Sequence, residues 1–105
     1  MNNRKKRSDP AHELYQGILK LKTPEECYNF FVDLCTVSEM KAMEQRFDVA
    51  KLLNEGMIYN DILEQTGASS ATISRVNRSL NYGTDSYRLV FNRLKEERER
   101  EEAQP

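Results

Sequence analysis

Residues 59–78, YNDILEQTGASSATISRVNR, decide how the whole chain is read, because they spell a helix, a tight turn and a second helix. In the first helix Ile62 and Leu63 lie near Thr66, so one face turns inward while Asn60, Asp61, Glu64 and Gln65 stay in water. Gly67 stands just past the last periodic residue, where a left-handed backbone costs glycine little, and ends that helix. Ser69 and Ser70 restart the chain as caps, each with a hydroxyl to offer the free amides of the next turn. The second helix buries Ile73, Val76 and Leu80 at helical spacing. Its outward residues are then Ser70, Ala71, Ser74, Arg75, Asn77 and Arg78, all short, hydrogen-bonding or cationic. A helix of that build, held at an angle by a partner helix, suits a DNA major groove. An ordinary packed helix pair is the competing reading, since glycine turns between helices occur in many all-helical proteins.

A chain of 105 residues suits one domain, and one small enough to gain from burial against a partner. With 38% hydrophobic and 31% charged residues, narrow apolar stripes on helices are expected rather than a large self-contained core. Alternating β-branched runs and Asn-Gly turns are missing, so the expected fold is all-α. The net charge of −1 argues against indiscriminate binding of nucleic acid. Residues 95–102 carry three basic and five acidic side chains, which leaves the remainder at +1. Any affinity for DNA must therefore come from local placement of charge.

Cys27 and Cys35 form no CxxC pair, and the single histidine, His12, is far from both in sequence. No metal site is expected, since zinc needs about four ligands at workable spacing. Free thiols, no membrane-length apolar run and no signal-peptide pattern together predict a cytoplasmic protein. Catalysis is not expected either, because no nucleophile constellation surrounds His12.

Residues 1–8, with Arg4, Lys5, Lys6 and Arg7 together, read as a basic disordered arm, either lying along phosphates or simply solvated. Residues 9–94 read as a helical domain for DNA binding and dimerisation, with the helix-turn-helix at 59–80. Asp9-Pro10 is a helix-start signal for an apolar face of Leu14, Ile18 and Leu21 running to Lys22. Thr23-Pro24-Glu25-Glu26 opens a second helix with Tyr28, Phe31, Val32, Leu34 and Cys35. One small domain can hardly cover two such helices, so Leu14, Ile18, Phe30, Phe31 and Leu34 are expected to pack against a second copy. Ser38 with Glu39 begins a third helix, in which Met40, Met43, Phe47, Ala50, Leu52 and Leu53 read as core, ending near Gly56. After the break at Asn81-Tyr82-Gly83, Thr84-Asp85 caps a last helix with Tyr87, Val90, Phe91 and Leu94. Residues 95–105 form a charged tail, solvated or continuing as frayed helix.

At SEMKAMEQRFDVAKLLNEG and TGASSATISRVNRSLNYG the sequence resembles the Trp repressor superfamily, and within it the branch labelled YerC/YecD. The likeness covers residues 36–81 and, by helix order, most of the rest, and GASSATISRVNRSL is its most specific part. It implies a six-helix chain in an intertwined homodimer, with Ser70, Ala71 and Ser74 facing bases and Tyr59, Asn60 and Arg75 near the backbone or groove edge. Tryptophan-binding members clamp an indole between two arginines, which correspond here to Arg46 and Arg75, with Thr72 and Ser79 also aligned near the ligand. The glycine that follows the second arginine in those members is Val76 in this chain, and a branched side chain would fill the space beside the ring. The helix from Arg46 to Gly56 also differs by one residue in length from their pattern, a rotation of about 100° unless the loop absorbs it. No cofactor is therefore expected, with tryptophan or another small-molecule corepressor left open.

The expectation is a homodimeric transcriptional regulator, a repressor in type, with double-stranded DNA as partner and a small-molecule effector left open. Ser70, Ala71 and Ser74 would read base edges, Arg75, Asn77 and Arg78 would hold phosphates, and Ser69 belongs to the same DNA-binding set. The alternative is a helical protein-interaction scaffold without DNA binding, which the near-neutral motif keeps open: Arg75 and Arg78 are offset by Asp61 and Glu64.

Overall fold

The computed structural model describes residues 8–104 and contains, in order, α1 (Glu13–Ile18), α2 (Pro24–Leu34), α3 (Val37–Asn54), α4 (Tyr59–Thr66), α5 (Ser70–Tyr82) and α6 (Ser86–Glu102). No strand occurs among the described residues, so the all-α expectation holds. Nor is any described helix long and apolar enough to cross a membrane. The basic cluster of the expected arm lies outside the described residues. By its contacts the chain divides into two compact units, Met1–Met40 and Lys41–Pro105.

In the first unit, Asp9-Pro10 makes a turn and not the expected helix start. The Asp9 carboxylate accepts from the Ala11 amide at 2.8 Å and its carbonyl from the His12 amide at 2.9 Å, which uses the capping group on a local turn. Helix α1 begins three residues later than expected, capped by His12 Nδ1, which accepts from the Leu14 amide, and it stops at Ile18 short of Lys22. The amides of Lys20 and Leu21 turn back to the carbonyls of Gly17 and Ile18, a tightening that closes the helix. The second start signal is read correctly. Thr23 Oγ1 accepts from the Glu26 amide while Glu26 Oε1 accepts from the Lys22 amide, and Pro24 occupies the first turn.

Neither α1 nor α2 contains a buried residue. Leu14, Ile18, Phe30 and Phe31 are half-buried, and Tyr28, Val32 and Leu34 are exposed.

Helix α3 starts one residue before Ser38, because Thr36 and not Ser38 is the cap. Thr36 Oγ1 accepts from the Glu39 amide and Glu39 Oε1 accepts from the Thr36 amide, a reciprocal pair. The core of the second unit is Val49 and Ala50 from α3, Ile62 from α4, Ala68 from the turn, and Ile73 and Val76 from α5. Leu52, Leu53, Met57, Tyr87 and Phe91 pack against it. Phe91 meets Phe47 edge-on at 5.2 Å between ring centroids and stacks with Tyr87 at 6.1 Å.

Two expected inward residues are on the outside: Leu63 and Met43 are exposed. Ile62 alone fills the α4 side of the core, since an eight-residue helix crossing a small core can turn only one narrow stripe toward it. Val49 and Ala68, absent from the expected core, are fully buried. Helix α5 runs through Asn81 and Tyr82 to Gly83, where a Cβ would run into the Ser79 carbonyl, so only glycine accommodates that close approach. Asp85 precedes α6 at φ 67° and offers its amides no side-chain cap, in contrast to the Thr84-Asp85 signal. The charged tail continues α6 as exposed helix to Glu102.

Candidate nucleic-acid interface

The turn between α4 and α5 is held by two side chains and one glycine. Gly67 takes φ 71°, ψ 7°, and its amide bonds back to the Leu63 carbonyl at 2.9 Å. Thr66 Oγ1 donates to the Ile62 carbonyl at 2.7 Å and accepts from the Ala68 amide at 3.1 Å. From α3, Gln45 Nε2 donates to the Thr66 carbonyl at 3.3 Å. Two of the four carbonyls that α4 leaves free at its end, those of Leu63 and Thr66, are thus occupied, and the direction in which the chain leaves the helix is held.

Ser69 then caps α5, its Oγ accepting from the Thr72 amide and donating to Thr72 Oγ1, both at 3.1 Å. Ser69 is the only one of the two serines that caps. Ser70 is the first helical residue.

On α5, Ile73, Val76 and Leu80 are buried at steps of three and four, and the opposite face carries Ser70, Ala71, Ser74, Arg75, Arg78 and Ser79, all exposed. No acidic residue lies on this helix, so its outward face carries the charge of Arg75 and Arg78 alone. Among the described residues the ion pair formed is Arg88 with Asp85, and neither arginine of the α5 face takes part in it. Both are therefore available to an external anion. Tyr59 and Asn60 are exposed on the first turn of α4, whose Asp61 and Glu64 also face solvent.

Asn77 is half-buried at the edge of the α5 face, and its Oδ1 accepts from Asn81 Nδ2 at 2.9 Å. Sequence reasoning assigned nothing to Arg88. Its guanidinium donates to the Leu80 carbonyl at 2.9 Å, to Asn81 Oδ1 at 3.1 Å, and to Asp85 Oδ1 and Asn54 Oδ1 at 3.3 Å each. The one sequence signal was the spacing of Asp85 and Arg88, three apart at a helix start. The bonds to α5 reach back seven and eight residues across the turn at Gly83, and the bond to α3 comes from Asn54, 34 residues away.

The residues considered for an effector are less concentrated. Arg46 is half-buried on α3, Thr72 is half-buried with its hydroxyl engaged by Ser69, and Arg75 and Ser79 are exposed on α5. Two cavities of the chain lie elsewhere. One of about 270 Å³ is lined by Phe47, Lys51, Phe91 and Arg98 among others, and one of about 330 Å³ by Asp48, Lys51, Leu52, Gln65 and Thr66. Val76 is 1% exposed within the core cluster, so the position that departs from the tryptophan-binding pattern is filled with packed side chain. Among the described residues no group of three or more metal-ligating side chains comes together.

The family model for Trp repressor protein matches residues 10–95, from the turn before α1 to the middle of α6. The chain belongs to the Trp repressor family. Its similarity to this family's proteins runs through the sequence as well as the fold. It is 51% identical over 92 residues to the uncharacterized protein YerC of Bacillus subtilis (strain 168), a match covering 88% of each chain. A TrpR-like protein from Eubacterium eligens is 55% identical and superposes with a TM-score of 0.80, over 90% of this chain and 96% of that one. A candidate Trp repressor from Staphylococcus aureus is 46% identical, also with a TM-score of 0.80, over 90% and 95% of the two chains. The six helices and the α4-turn-α5 arrangement are therefore those of a Trp repressor-like fold, as the resemblance at residues 36–81 implied.

Proposed function

We propose that this Trp repressor family protein is a sequence-specific, DNA-binding transcriptional regulator, a repressor in type, that works as a homodimer and places α5 in the major groove. One observation carries the reading: the exposed face of α5 joins two unpaired arginines to short polar side chains, on a helix whose exit angle is set by Gly67 and Thr66. Ser70, Ala71 and Ser74 reach base edges, partly through water, because short side chains extend only a little way. Arg75 and Arg78 contact phosphates and set the register, with Asn77 beside them. Tyr59 and Asn60, on the first turn of α4, approach the sugar-phosphate backbone.

The apolar surface of α1 and α2 supports the homodimer. Tyr28, Val32 and Leu34 are exposed in the single chain, and a second copy is the partner that removes them from water in both molecules at once. Two reading helices about 34 Å apart would then meet successive major grooves of a near-palindromic site. DNA binding on this reading does not require tryptophan, a reading supported by Val76, which stands where tryptophan-binding members have glycine and is packed into the core. Such a regulator acts where the chromosome lies, which in a bacterium is the cytoplasm.

Selection of bound fragments from genomic DNA by the full chain, with and without pooled amino acids, tests the proposal. The expected result is enrichment of a two-fold related sequence that is the same in both arms. Failure to retain any fragment at low salt would replace the regulator by a helical interaction scaffold.

A further inference from the structure

Along one edge of α5, Ser70, Ser74, Asn77 and Asn81 follow each other at steps of three and four, so they form a continuous polar stripe. The stripe ends at Arg88. A guanidinium has donors and no acceptor, so the side of Asn81 that faces it must be the carbonyl oxygen, and Arg88 Nη2 does donate to Asn81 Oδ1 at 3.1 Å. That choice turns Asn81 Nδ2 the other way, where it donates to Asn77 Oδ1 at 2.9 Å and to the Asn77 carbonyl at 3.0 Å. Asn77 is then fixed as well: its oxygen is occupied, and its amide nitrogen is left as the group to present.

Arg88 is held in turn by three further acceptors, the Leu80 carbonyl, Asp85 and Asn54. Its position is thus set from α3, α5 and the start of α6 together. The cation also sits at the C-terminal end of α5, where the helix dipole favours it.

We propose that Arg88 is a positioning residue for DNA contact, acting through Asn81 to orient Asn77 so that its Nδ2 donates to a phosphate oxygen at the edge of the groove. This inference rests on the reading of α5 as the DNA-contacting helix. Without Arg88, the Asn77 carbonyl alone still selects the orientation of the Asn81 amide, so the flipped form gains population, and with it an Asn77 orientation that offers an oxygen to a phosphate and is repelled.

A double-mutant cycle on the full chain tests it, with DNA affinity and thermal unfolding read on the same samples. Asn77→Ala is expected to weaken binding about tenfold, the loss of one hydrogen bond to a charged acceptor. Arg88→Met should weaken binding to a similar extent in the wild-type background and hardly at all in the Asn77→Ala background, while lowering the unfolding temperature equally in both. Arg88→Lys guards against a variant that fails to fold. It retains the charge and one bond to the Leu80 carbonyl but not the fork, and should lose affinity like Arg88→Met with a smaller loss of stability. The loss should be the same on a selected duplex and on an unrelated one, as a phosphate contact requires.

Additive losses would overturn the relay and leave Arg88 a structural tether. A loss confined to the selected duplex would overturn the phosphate assignment. A wild-type chain that binds neither duplex would overturn the underlying reading itself, an outcome distinct from the other two.

Discussion

The second unit of the chain, Lys41–Pro105, buries seven apolar side chains to 3% exposure or less, whereas α1 and α2 of the first unit bury none. Both are rich in apolar residues, so composition does not explain the difference. In the second unit α3, α4, the turn after it and α5 all contribute to one core, and Tyr87 and Phe91 of α6 pack against it. In the first, Tyr28, Val32 and Leu34 keep much of their surface in water. The contrast teaches that the core behind α5 closes within one copy while the N-terminal helices leave apolar surface in water, the division that the proposed dimeric reader calls for.

Breaking the incomplete half should give the largest effect. Leu34→Glu removes an apolar side chain from both sides of a symmetric contact, about 1.5–3 kcal/mol for each copy, so the dimer dissociation constant should rise at least 100-fold in analytical ultracentrifugation. An unchanged sedimentation profile would show that α2 is not the dimer surface.

Next in size is the self-sufficient core. Ile62→Ala should cost about 2–5 kcal/mol in urea unfolding, since a fully buried side chain leaves a cavity. Leu19→Ala, at a site 83% exposed, should change stability by less than about 0.5 kcal/mol. Comparable losses at the two sites would abolish the contrast.

Smaller effects sharpen the account within the helix pair. Gly67→Ala forces a side chain into the left-handed region and should cost about 1–2 kcal/mol by thermal unfolding. Ser69→Ala removes the α5 cap and should cost about 1 kcal/mol. Ser70→Ala, which removes no cap, should leave unfolding nearly unchanged, a pairing that tells the two adjacent serines apart.

Much of this was legible in the sequence, and the reasons differ from element to element. Gly67, the spacing of Ile73, Val76 and Leu80, and Thr23-Pro24-Glu25-Glu26 are local signals, in which the residues that cause a structure lie within one or two turns of it. Caps chosen among neighbours were less secure. Thr36 outcompetes Ser38 because Glu39 stands at the right distance to return the bond, and Asp9 is diverted into a turn by its own neighbours.

What the sequence hid was long-range. Val49 is buried because α4 and α5 converge on it, and Gln45 braces the Gly67 turn from 21 residues away. Arg88 touches Asn54 from 34 residues away. No periodicity within a single helix encodes such contacts. The outward face of α5 could be read in advance because its polar residues and its buried ones share one helical period, whereas the scattered Arg46, Thr72 and Ser79 came only with the resemblance.

The measurement that tests the central claim most directly is the dependence of DNA affinity on salt, for the wild-type protein and for Arg75→Ala with Arg78→Ala, on one duplex. If α5 holds phosphates through these two arginines in each subunit, the variant binds more weakly at low salt and its log-log slope is shallower by roughly 3–4. Parallel slopes and equal affinities would contradict the account, because the face of α5 would then carry no contact with DNA.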